Sequence, residues 1–85
     1  MEPEMDPQVA WEQMLTAVSD RDWEQAEEFA DALLKWMKQG GVPPGTVSHS
    51  PMPRDWNRAV AEFGCLMALQ YVRDAQKRHA RRESR

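Results

Sequence analysis

Three side chains in this 85-residue chain are of types that bind soft metals or act as nucleophiles: His49, Cys65 and His79. A structural zinc site needs four such ligands, set mostly in closely spaced pairs. A Cys–His nucleophile needs its imidazole within hydrogen-bonding reach of the thiol. No two of these three residues have a zinc spacing, and neither histidine is fixed near Cys65. His49 falls in a Pro-rich stretch and His79 in a basic one, so both are expected to be exposed. Cys65 lies inside the apolar run AVAEFGCLMALQYV (59–72), where a cysteine packs as a small hydrophobe.

The acidic turn Asp20-Arg21-Asp22-Trp23-Glu24, with Asp31 at the twelfth position, is similar to a calcium loop in its carboxylates. That loop requires glycine at its sixth position, which here is Gln25. The stretch reads instead as a helix N-terminus, whose dipole favours negative charge and explains the acids. Ser48, Ser50 and Ser84 have no nucleophile-elbow context. Gly40-Gly41 is not followed by the Lys-Ser/Thr of a phosphate loop. The expectation is a protein that is not an enzyme, with no cofactor and no metal.

Charge gives a second kind of chemistry. Residues 1–38 hold ten acids and three bases, net −7; residues 39–85 hold four acids and eight bases, net +4. Within the basic half, Lys77, Arg78, Arg81 and Arg82 group on one face of a continued helix and its next turn. Such a cluster suits phosphates, nucleic acid or an acidic protein. It also suits a solvated helix C-terminus. A pI near 5.3 and the lack of interleaved aromatics make nucleic acid the secondary expectation.

The elements that position these residues read as helices. Asp6-Pro7 is a helix start, with Asp6 as N-cap and Pro7 at the first helical position. Trp11, Met14, Leu15 and Val18 then fall at i, i+3, i+4, i+7, which predicts a first helix over 7–18. Ser19-Asp20 is expected to end it and to cap the next. A second helix over 21–39 carries Trp23, Ala26, Ala30, Leu33, Leu34 and Met37, widened by Phe29 and Trp36. Gly40-Gly41 supplies its stop. Residues 40–53 contain four prolines and three glycines, so 40–52 reads as an irregular loop. A third helix follows over 53–80. Residues 1–5 and 82–85 are expected to fray.

Asp22-Trp23-Glu24-Gln25-Ala26 resembles the turn of a tetratricopeptide repeat, whose pattern there is Gly-Asp-Tyr-x-x-Ala. The likeness covers about residues 10–34, one unit. It implies an antiparallel helical hairpin; a single unit cannot form the stacked groove that binds peptides.

The expected fold is all-α, a small three-helix bundle in one domain over 1–85. Core expectations are Trp11, Leu15, Trp23, Ala30, Leu33, Leu34, Trp56, Val60, Phe63 and Met67, with Tyr71 completing the main stripe of the third helix. Leu66, Leu69 and Val72 are left for a second molecule, which predicts a homodimer. Gly64 admits close approach of another helix. Phe29 and Trp36, beside the Pro-rich loop, form a candidate exposed aromatic patch for a protein partner.

The apolar run is too short to span a bilayer, which takes about 20 residues. The start MEPEMDPQ has no apolar leader. One cysteine allows no internal disulfide, which fits a reducing compartment. The functional expectation is a cytoplasmic, non-enzymatic module for protein–protein interaction or an adaptor. The alternative is a small regulatory or nucleic-acid-associated protein acting through its basic tail.

Overall fold

The computed structural model describes residues 5–83, with side chains as far as His79. Helix α1 spans Pro7–Asp20. Asp6 caps it: its carboxylate accepts from the backbone N–H groups of Gln8 at 3.0 Å and Val9 at 3.3 Å. The helix continues through Ser19 and Asp20, past the expected end at Val18. It stops at Arg21, which takes the left-handed conformation at φ 60°. The N–H of Arg21 then returns to the Val18 carbonyl and that of Asp22 to the Ala17 carbonyl, a Schellman closure. The cap of the next helix is therefore Asp22, which accepts from Gln25 N–H at 3.3 Å, and not Ser19 or Asp20.

Helix α2 spans Trp23–Lys38, with Glu24 in its first turn and Lys35 and Lys38 in its last. The same closure ends it. Gly40, at φ 88°, donates to Met37 and Gly41 to Trp36. Helix α3 spans Arg54–Glu83. The three helices form a small all-α bundle.

α2 is the central helix. Its interfaces with α1 and α3 are extensive, whereas α1 and α3 meet only narrowly. α3 runs antiparallel to α2, as two contacts at opposite ends show. The Arg58 guanidinium donates to the Met37 carbonyl at 3.4 Å, and Tyr71 stacks on Trp23, centroids 6.5 Å apart and planes 12° from parallel. The α1–α2 hairpin implied by the repeat-like turn is present.

The core has one main cluster, built on Trp11, Met14, Ala30, Leu33, Met37 and Cys65 with small neighbours, and a lesser one of Ala17, Ala26 and Val72. Several core expectations are overturned. Leu15, Trp56, Phe63 and Met67 are exposed, as is Tyr71. Trp23, Leu34 and Val60 are half-buried. Trp11, Ala30 and Leu33 are buried as expected. The reason is that α3 packs on its small-residue side. Ala61, Cys65, Ala68 and Val72 face α2, where Ala26 and Ala30 allow close approach. Gly64 serves the separate, narrow contact with α1: a Cβ there would lie 2.6 Å from Trp11 Cη2, so the indole of α1 rests on bare α3 backbone.

Loop 40–53 has no regular element, yet it is tied down. Pro43 and Pro44 are buried. Gln8 of α1 grips Gly45 twice, accepting from its N–H at 2.7 Å and donating to its carbonyl at 3.2 Å. Asn57 of α3 accepts from both the N–H and the hydroxyl of Thr46 and donates to the Met52 carbonyl. The loop is thus a strap joining the N-termini of α1 and α3 to the C-terminus of α2.

Of the residues expected to fray, Met5 packs against the main cluster and α3 includes 82 and 83. Residues 1–4, 84 and 85 lie outside the described residues.

Candidate interaction surface

A helix turns about 100° per residue, so residues 56, 60, 63, 67 and 71 share one face of α3 while 61, 65, 68 and 72 share another. The second face is occupied by α2. The first carries the largest side chains of the helix and faces water: Trp56 is 49% exposed, Phe63 66%, Met67 40% and Tyr71 47%, with Leu66 beside them at 57%. At roughly 200 Å² for a large side chain, the five leave about 500 Å² of mainly apolar surface in the open. That lies within the 300–600 Å² that a monomer's largest patch usually reaches, a size often functional.

The residues assigned in advance to self-association divide. Leu66 is exposed, and Leu69 is half-buried against the main cluster. Val72 is 3% exposed and packs with Ala17 and Ala26, so it belongs to the core. Periodicity located both stripes of α3, but their inward and outward roles are the reverse of those expected.

The aromatic pair on α2 does not form an open patch. Phe29 and Trp36 are half-buried and pack against the main cluster. The Trp36 indole N–H donates to the Val42 carbonyl at 2.8 Å. Its ring covers Gly41 so closely that a Cβ there would collide with it. Trp36 thereby helps fix the strap.

Lys77 and Arg78 are exposed on α3, beyond the buried Val72. Arg81 and Arg82 lie outside the residues whose side chains are described. Between Tyr71 and Lys77, Asp74 accepts from Gln70 at 3.1 Å. Arg58 pairs with Glu62 on α3, at 3.2 Å and exposed.

His49 is exposed in the loop at φ 66°, and His79 is exposed near the end of α3. Cys65 is fully buried as a free thiol. Burial, and after it the nearby Glu62 and Asp31 carboxylates, push its pKa up from 9.0 to about 12. A thiol so held stays protonated and is a poor nucleophile at neutral pH. Among the described residues, no three His, Cys, Asp or Glu side chains converge as a metal site would require. No helix among them is long and apolar enough to cross a membrane.

Comparison with known protein families, curated proteins and solved structures finds no match to this chain.

Proposed function

We propose that this protein is a non-enzymatic helical interaction module, acting in the cytoplasm, whose binding surface is the outer face of α3. One observation carries the reading. The largest apolar side chains of α3 face water, while Ala61, Cys65, Ala68 and Val72 face the core. Folding alone rewards the opposite choice, because burying a Phe or Leu side chain contributes about 1.5–3 kcal/mol. Trp, Tyr, Phe and Met are also the types enriched where proteins meet. A lone buried thiol is compatible with a reducing compartment.

The test is photo-crosslinking in cells from p-benzoylphenylalanine placed at Phe63 or Leu66, with Glu28 on the exposed acidic side of α2 as control position. Discrete protein adducts from 63 and 66, absent from 28, support the reading. Equal labelling from all three positions, or none from any, removes it.

A second reading rests on the exposed Lys77 and Arg78 beyond the hairpin: contact with nucleic-acid phosphates. It requires binding that falls steeply with salt and is lost when Arg78, Arg81 and Arg82 become Ala. No shift of RNA or DNA at low salt excludes it.

A further inference from the structure

We infer that the partner on the outer face of α3 is a second copy of this chain, bound antiparallel through α3. This deepens the interaction reading above and rests on it. Three observations point to the same occupant.

The first is spacing. Trp56, Val60, Phe63 and Met67 follow one another at intervals of four, three and four, the interval pattern of a seam between two paired helices. The occupant is accordingly a helix with the same repeat, and α3 itself supplies one with a free face about four turns long.

The second is area. Two such faces together bury about 1,000 Å², the size at which a specific interface begins. A short apolar peptide laid on the face would cover only one of them and leave its own hydrophobic residues to be accounted for. A twofold pair covers both with one surface.

The third is charge. Asp55 borders the stripe near its N-terminal end, and Arg73 borders it on the same side near its C-terminal end, while Glu62 is held by Arg58 of its own helix. In an antiparallel pair, like borders meet end for end, which sets Arg73 of one copy beside Asp55 of the other. A parallel pair would instead bring two basic ends together, Lys77 of one copy beside Arg78 of the other. Opposite charges at a rim chiefly select orientation and partner.

The test has two arms. Sedimentation equilibrium from about 10 to 500 μM, the range in which an interface this small is expected to assemble, should show the mass rising from 9.9 kDa toward twice that value. Phe63→Glu should hold the chain at monomer mass with its helical circular dichroism unchanged, since Phe63 is exposed; Leu66→Gln serves as the second variant. Orientation is read in a Cys65→Ala background by disulfide formation. Ala59→Cys mixed with Gln70→Cys should crosslink, whereas either alone should not.

Self-crosslinking of Ala59→Cys alone overturns the antiparallel arrangement. A monomer mass across the whole range overturns self-association. If position 63 then gives adducts to a different protein in cells, the interaction reading survives without the homodimer; if it gives none, both fall. A monomer that instead shifts RNA through its tail also overturns the inference.

Discussion

At the scale of single residues, two positions have consequences opposite to their usual ones. Replacing a mid-helix glycine by alanine ordinarily stabilises a helix by about 1 kcal/mol. At Gly64 the new methyl would meet the Trp11 ring at 2.6 Å. Gly64→Ala is therefore expected to lower Tm. The loss should disappear in a Trp11→Leu background, where the alanine gains its normal propensity; thermal melts of the four variants check this. Cys65 is the second position. Its folded pKa is raised above the unfolded value, so the native state keeps the thiol proton longer than the unfolded chain does. The stabilising contribution is full below pH 9 and is lost between about pH 9 and 12. Urea midpoints should fall across that window for the parent chain more steeply than for Cys65→Ala.

At the scale of elements, the helices and their ends were largely legible. Asp6-Pro7 and Gly40-Gly41 announce a start and a stop by backbone chemistry that acts locally. The Arg21 stop was not legible, because nothing in an arginine marks the left-handed conformation it adopts at φ 60°. The faces of α3 were not legible either. Periodicity identifies stripes, and the size of Trp56, Phe63 and Met67 suggested that theirs points inward. The side actually buried is set by how near α2 comes, which depends on Ala26 and Ala30 in another element. The order of the strap was hidden for a similar reason: Gln8 and Gly45 are 37 residues apart. Asn57 offers the test at this scale. Asn57→Ala leaves the Thr46 N–H and hydroxyl and the Met52 carbonyl without their partner. The cost should be about 1–2 kcal/mol, which lowers Tm by roughly 4–8 °C per kcal/mol in a chain this small. Protease cleavage between 46 and 52 should quicken.

At the scale of the whole molecule, the shape follows from unequal helix lengths. α3 has 30 residues against 14 and 16 for its neighbours, and the longest dimension is 49 Å. α2 touches both other helices along its length, so it holds the bundle together and is the least able to leave it. α3 has one well-covered side, the narrow contact with Trp11 and the strap. The stripe that forms the candidate surface was legible as a set of residues, but it read as core, and of the residues expected to self-associate only Leu66 lies on it. Its place on the outside became visible only with all three helices assembled.

The small-residue seam between α2 and α3 also sets how α3 moves. Ala61, Cys65 and Ala68 bring little apolar area out of water, so the hold on this helix comes mainly from Val72, half-buried Leu69, the Trp23–Tyr71 stack and the Trp11 contact. At about 25 cal/mol per Å², such a seam is worth far less than the leucine-lined one it resembles in geometry. α3 should therefore detach as a unit, with the α1–α2 hairpin intact, well before the chain unfolds globally. Cys65 sits in the middle of the seam and records each opening. Its labelling by a thiol reagent under native conditions should give an opening free energy clearly below that from urea denaturation; equal values would mean that α3 leaves only when everything does. The feature that exposes the large side chains to a partner would then also let them leave the bundle together, making association and local opening two competing outcomes for the same helix.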